Sequence, residues 1–189
     1  MIAKAKLKPE AALFTLRQAR LVDAPVLKQL IEDSIRGTAG SGDGEAHVKW
    51  ALDAAFGADA ILIRDGTLFV AGAGTEIIGC GGWSMRETCN GENTRDASQP
   101  KLRDPLCDAA RIQVLYTRPD WMRTGVGRAL MARCEDDALA HAFVSADLVS
   151  PITAHRVFCA LGYADDERKP RAMTSSFASD FIPMKKDLI

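Results

Sequence analysis

The sequence predicts a single α/β domain built on a mixed sheet flanked by helices, and three observations carry that expectation. Between Arg111 and Leu139 a strand, a tight glycine turn and a helix follow one another. Between Ile61 and Met85 short apolar, β-favouring runs alternate with glycine-bearing turns. The length of 189 residues with 47% hydrophobic content is enough for one well-buried core and short for two. Residues 1–10 read as a tail and residues 11–189 as the domain.

Taken in order, Ala12 to Ala19 mixes apolar and polar positions with the spacing of a first strand. Asp23-Ala24-Pro25 reads as a helix start, an oxygen-bearing cap followed by proline, with Val26, Leu27, Leu30 and Ile31 at helical spacing. Gly37 to Gly42 is a flexible run, and a second helix is expected from Glu45 to Phe56 with Val48, Leu52 and Ala55 on one face. His47 at its start reads as a solvated residue. Ile61-Leu62-Ile63 and Leu68-Phe69-Val70 flank Asp65-Gly66, which predicts a hairpin, and a further strand from Ile77 to Met85 follows the turn at Gly72 to Thr75. Gly79-Cys80-Gly81-Gly82-Trp83 strips that strand of side chains, which implies a bulge or an element packed closely on its backbone. Glu87 to Pro105 is polar and long, as binding loops are.

Ile112 to Tyr116 is the next strand, stopped by Pro119 and Asp120. The helix opening at Gly125-Val126-Gly127 carries Val126, Ala129, Leu130, Cys134 and Ala138 on one face. A strand from Ala146 to Val149, a helix from Pro151 to Leu161 with Val157, Phe158 and Leu161 inward, a return to strand at Gly162-Tyr163 and a last strand from Phe181 to Met184 complete the chain.

The charges single out the glycine turn. Arg118, Arg123 and Arg128 crowd a helix start whose macrodipole is already positive, at about 0.3–1 kcal/mol per charge unless an anion offsets them. Glycines at 125 and 127 let a ligand approach unpaired backbone N–H groups, the arrangement by which helix starts hold phosphate. A dinucleotide fingerprint fails because position 130 is Leu, and a nucleotide-triphosphatase loop fails because the chain has no Gly-Lys pair.

Composition excludes other classes. Lys+Arg of 24 against Asp+Glu of 25 gives a net charge of −1, so no bulk attraction to nucleic acid or anionic membrane is expected. Five cysteines without a Cys-x-x-Cys pair argue against a disulfide framework or a zinc cluster and for reduced thiols. Neither a signal-like apolar run nor a stretch of about 18 apolar residues occurs, which predicts a cytoplasmic protein. Histidines at 47, 141 and 155 offer no metal spacing, and Cys89 and Cys107 have no paired histidine in a recognisable motif.

The order of elements, together with Tyr116 to Leu130 (YTRPDWMRTGVGRAL), resembles the GNAT superfamily of acyl-CoA N-acyltransferases. The family's turn signature, Gln/Arg-x-x-Gly-x-Gly/Ala, falls on Met122-Arg123-Thr124-Gly125-Val126-Gly127; both glycines match and the first position is Met. Ala154 to Tyr163 resembles the family's second signature. The resemblance implies a mostly antiparallel sheet that splays between the strand Leu115-Tyr116-Thr117 and the strand at Ala146 to Val149. It implies acetyl-CoA as co-substrate with no metal, its pyrophosphate held by main-chain N–H groups from Met122 to Arg128 and by Arg123 and Arg128, and its pantetheine arm on Leu115, Tyr116 and Thr117.

The same resemblance exposes two departures. Where many members carry a tyrosine that protonates the thiolate stands Phe158, and where some carry a glutamate base stands Arg111. Glu87 and Asp108, which bracket the polar loop, are the carboxylates expected to act as base on a small-molecule or peptide amine. Neither nucleic acid nor membrane is expected as a partner, and a homodimer is left open. The rival reading is a non-catalytic acyl-CoA-binding or sensing module.

Overall fold

The computed structural model describes residues 13–38, 59–87, 101–168 and 181–189. Its strands are β1 (Thr15–Gln18), β2 (Leu68–Ala73), β3 (Glu76–Ser84), β4 (Ala110–Thr117), β5 (Ser145–Pro151), β6 (Ala164–Asp165) and β7 (Phe181–Asp187). Its helices are α1 (Ala24–Thr38), α2 (Asp59–Asp65), α3 (Val126–Ala140) and α4 (His155–Ala160). The seven strands form one sheet in the order β1-β2-β3-β4-β5-β7-β6, antiparallel throughout except where β4 meets β5. The expected N-terminal tail, the helix from Glu45 to Phe56 with His47, and positions 88–100 of the polar loop with Cys89 lie outside the described residues.

α1 buries Leu27, Leu30, Ile31 and Ser34, a three-and-four spacing that lays it over β3 and β4. Asp23 does not cap it directly. It ends a 3-10 turn (Leu21–Asp23), where its carboxylate accepts the Arg20 N–H at 2.7 Å and holds Arg17 at 2.7 and 2.9 Å. The Arg17 hydrogen bonds keep this carboxyl below the usual range.

The expectation of a strand at Ile61 to Ile63 is corrected: these residues lie in α2, and Asp65-Gly66 is a helix end. Gly66 has φ +76°. The Thr67 N–H bonds the Leu62 carbonyl at 2.9 Å and the Gly66 N–H bonds that of Ile63 at 3.2 Å, the reciprocal closure of a helix C-terminus. An apolar run of three residues has no period, so only length and flanks could separate the two readings. The hairpin lies one step later, between β2 and β3, where Gly74 has φ +59°.

The glycines of β3 serve close packing. A Cβ on Gly79 would lie 2.9 Å from Val126 Cγ1, and one on Gly81 3.0 Å from Leu130 Cβ, so α3 rests on bare backbone. Val126 and Leu130 are fully buried there, worth about 1.5–3 kcal/mol each. On the opposite face a Cβ on Gly82 would lie 2.7 Å from Leu68 Cδ1. The expected bulge is present too, because β4 pairs Val114 with Gly82 but Ile112 with Trp83, leaving Gln113 as the extra residue.

The bulge exchanges the faces of β4. Ala110 and Ile112 join the core under α3, whereas Val114 and Tyr116 join the core under α1. Leu115 and Thr117 therefore turn toward α3, and Thr117 Oγ1 lies 3.7 Å from where a Cβ on Gly127 would be.

The helix expected from Pro151 to Leu161 is a 3-10 turn (Ile152–Ala154) followed by α4. Phe158 and Leu161 pack on the core, but Val157 is 55% exposed, a correction. In one and a half turns of helix only the i, i+3 pair can face inward, and Val157 stands about 100° away. β7 runs past Met184 to Asp187, steadied by a 2.6 Å bond from Lys186 to Glu135 of α3.

Candidate active site

Chain leaving β4 at Thr117 passes a 3-10 turn (Pro119–Trp121) before α3 begins. Arg118 does not face an open anion site. Glu76 holds it at 2.7 Å and Asp120 at 2.8 Å, and the Asp120 bond first, then that of Glu76, raises its pKa above the ordinary value. Arg123 and Arg128 are exposed and, among the described residues, unpaired. Two of the three arginines singled out in the sequence are thus available to an anion.

The turn itself is shaped by two left-handed residues, Arg123 with φ +62° and Gly125 with φ +94°, on either side of Thr124. The Thr124 hydroxyl donates to the Trp121 carbonyl at 2.6 Å and fixes the curl. No side chain caps α3, and its first closing bond runs from the Ala129 N–H to the Gly125 carbonyl at 3.0 Å. The N–H groups from Arg123 through Arg128 have no acceptor among the described residues. Curled amides at a helix start form a concave donor set for an anion, and the side chain of Val126, buried beneath it, anchors the turn.

Beside this turn the sheet opens. β4 and β5 share only the pairs Ala110–Ala146 and Arg111–Asp147, although β4 runs on to Thr117 and β5 to Pro151. The Arg118 N–H bonds Ile78 at 2.9 Å, and by the alternation of an antiparallel ladder Tyr116 and Val114 also spend their main-chain groups on β3. Those of Leu115 and Thr117 therefore point into the gap. An extended ligand arm can pair with them as an added strand would.

At the foot of the gap lies a buried ionic cluster that the sequence reading did not assemble. Asp147, 1% exposed, sits 2.8 Å from Arg111 Nε and 3.6 Å from Arg103 Nη1. Arg103 also donates to the carbonyls of Ala109 at 2.7 Å and Arg86 at 3.3 Å. It is placed by a short ladder in which Glu87 N–H bonds Lys101 and Arg103 N–H bonds Met85, each at 2.8 Å. Burial first, and then the like charge of Arg103, lower the Arg111 pKa against the pull of Asp147. The overlooked signal was Asp147 itself, a single charge inside the apolar run Ala146 to Val149.

Of the two expected acids, Glu87 is exposed and stands 3.7 Å from Lys101, while Asp108 accepts the Asp104 N–H at 2.8 Å in a local turn. Desolvation, and then Asp104 and Asp108, push the thiol of Cys107 beside it up, away from the thiolate form. His155 is tied to Asp165 at 2.6 Å. The Cys159 sulfur lies at 3.7 and 3.8 Å from its two ring nitrogens, on neither N–H axis, so no proton-transfer line joins them. Phe158 meets Tyr163 edge to face at 6.2 Å. The Tyr163 hydroxyl is buried, and desolvation followed by Glu135 pushes its ionisation up.

An acetyltransferase (GNAT) domain model matches residues 61–188. The chain belongs to the GNAT acetyltransferase family. Solved structures carry the same fold at low identity. A PaiA N-acetyltransferase from Thermoplasma acidophilum, in complex with coenzyme A, is 13% identical with a TM-score of 0.68, covering 93% of this chain and 99% of its own. A GCN5-related N-acetyltransferase from Rhodopseudomonas palustris is 19% identical with a TM-score of 0.63, over 92% of this chain and 94% of its own. N-acetylglutamate synthase from Neisseria gonorrhoeae, complexed with coenzyme A and L-arginine, is 14% identical with a TM-score of 0.58, over 93% of this chain but 33% of its own. No curated protein sequence matches. No described helix is long and apolar enough to cross a membrane, and no group of described side chains is arranged to hold a metal ion.

Proposed function

We propose that this GNAT protein transfers an acetyl group from acetyl-CoA directly to a primary amine. The observation that carries the reading is the pairing of two features: unpaired N–H groups from Arg123 to Arg128, and a gap that opens beside them after only two β4–β5 pairs. The curled amides, with Arg123 and Arg128, hold the pyrophosphate, and main-chain groups of Leu115 and Thr117 hold the pantetheine arm. Met122 contributes backbone only. Acetyl-CoA supplies a thioester whose acyl carbon is the electrophile.

On that reading the amine nitrogen bonds the acyl carbon, the carbon–sulfur bond breaks, and the thiolate leaves. N–H groups fixed in the gap polarise the carbonyl without a side chain. An amine of pKa about 10.4 must lose a proton first. Glu87 and Asp108 are the proposed bases, with Glu87 the freer because one Asp108 oxygen is spent on Asp104. Phe158 offers no proton, and a thiolate of reference pKa about 8.5 leaves tolerably near neutrality without one.

The second reading, an acyl-CoA-binding module without turnover, is favoured by Arg111 and Phe158 at the positions of base and acid. Titrating coenzyme A by calorimetry and following free thiol release from acetyl-CoA across an amine panel separates the two. Binding with amine-dependent thiol release supports the enzyme; binding without release from any amine supports the module; no binding removes both.

A further inference from the structure

We propose that the Arg103–Arg111–Asp147 cluster at the foot of the β4–β5 gap binds a carboxylate of the acyl acceptor, so that the acceptor is a small amino acid rather than a diamine or polyamine. The proposal rests on the acetyltransferase reading above and names the substrate class of that same site.

Charge is the first ground. Among the described residues, two guanidiniums, 11% and 12% exposed in their side chains, face one carboxylate at 2%. A buried cluster with an unbalanced positive charge is unfavourable unless an anion joins it. Donor count is the second. Arg111 donates Nη2 to Asp147 Oδ2 at 3.3 Å, but its buried Nε, 2.8 Å from Asp147 Oδ1, makes no hydrogen bond, and Arg103 spends Nε and Nη1 on the carbonyls of Arg86 and Ala109. Arg111 Nη1 and Arg103 Nη2 have no acceptor among the described residues, and a carboxylate is the group whose geometry suits paired guanidinium donors.

Position is the third ground. Arg111 and Asp147 form the last pair before β4 and β5 part. Asp147 alternates with Ala146 and Leu148, which lie in the core under α3, so the cluster faces the opposite side of the sheet from the pyrophosphate turn. A thioester carried down the gap thus meets an acceptor arriving from the other face. A cationic acceptor would be repelled there, whereas a carboxylate would be drawn in and its amine left near the gap.

The test measures kcat/KM for thiol release from acetyl-CoA with the proteinogenic amino acids, their carboxamides, putrescine and spermidine, after coenzyme A binding has been verified by calorimetry. The expected result is that the amino acids turned over exceed their carboxamides by about 10- to 100-fold, the size of a lost charged hydrogen bond. Arg111→Gln should raise KM for the amino acid by a similar factor and leave that for the carboxamide unchanged. Because that variant strands Asp147, the charge-balanced Arg111→Gln/Asp147→Asn pair is measured beside it, with the same discrimination lost if the proposal holds. Equal or better turnover of carboxamides or polyamines, or their turnover with none of any amino acid, overturns the carboxylate site and leaves the acetyltransferase reading standing; coenzyme A binding with no turnover of any amine overturns both in favour of the binding module. Failure to bind coenzyme A overturns the reading beneath it.

Discussion

Gly125→Val separates the pyrophosphate site from the rest of the fold. A Cβ at Gly125 would meet nothing within 4 Å, so the core offers no objection to the side chain. The objection is local: φ +94° is a left-handed conformation that costs an L residue about 1–3 kcal/mol, most for a β-branched one. In a domain of this length that lowers the melting temperature by about 2–12 °C. If the backbone relaxes instead, it rotates the amides of the turn out of their common focus. Losing one charged hydrogen bond from such a set weakens coenzyme A by about 10- to 150-fold. Calorimetry at a temperature where the variant is folded, checked by circular dichroism, measures the loss. Gly127→Ala is the control, because its backbone is helical and its Cβ would meet only Thr117 Oγ1 at 3.7 Å; it should stabilise the apo protein by about 0.4–1 kcal/mol. A folded Gly125→Val protein that binds coenzyme A as tightly as the wild type refutes a pyrophosphate at this turn.

Replacing both Arg123 and Arg128 with Ala should weaken coenzyme A binding and flatten its dependence on salt while leaving apo stability unchanged or slightly raised, since both are exposed cations at the positive end of α3. A large drop in melting temperature would show that they are structural. Phe158→Tyr should raise turnover by less than the 10²–10⁴-fold of a fully realised general acid, roughly because the thiolate already leaves; lower turnover at unchanged affinity and stability would show that another donor serves. Asp23 has its folded pKa depressed by Arg17, so its contribution is present above the unfolded value of about 3.9 and is lost as pH falls through the lower folded value. Urea midpoints of Asp23→Asn and wild type should therefore differ near neutrality and converge in acid; a gap that does not narrow would place the effect elsewhere.

The parts of the site legible in the sequence are those made by backbone. Glycines at 125 and 127 and the β3 glycines announce their geometry because few other residues tolerate a left-handed turn or a helix at 2.9 Å. The splay followed from the family resemblance, and the structure shows it in the two-pair contact of β4 with β5. Charge partners were not legible. Arg118 looked like a phosphate ligand beside Arg123, but Glu76, 42 residues away in sequence, neutralises it. Arg103 and Asp147 are separated by the whole of β4 and α3, and only the sheet brings them together. α2 was misread for a third reason: its apolar triplet is too short for periodicity, and Asp-Gly closes a helix as readily as it turns a hairpin.

The Gln113 bulge decides both which side chains meet α3 and which peptide groups meet the gap. Were Gln113 paired one to one with β3, regular alternation would put Val114 and Tyr116 on the face of Ile112, against the bare backbone of Gly79 and Gly81, where α3 already sits at 2.9–3.0 Å from any added Cβ. Overpacking of that kind costs about 1–3 kcal/mol, so the residue is held out of the pairing instead. Deleting Gln113 has a different outcome: Ile112 and Val114 become neighbours in the chain and, by alternation, keep the opposite faces they already occupy, and Leu115 and Thr117 keep theirs. The deletion should therefore fold and bind coenzyme A, losing only the local twist that the bulge adds, and Gln113→Ala, which keeps the extra residue, should fold as well. Little soluble protein from the deletion beside a well-folded Gln113→Ala variant would show that β4 needs the twist of the bulge and not only its exchange of faces.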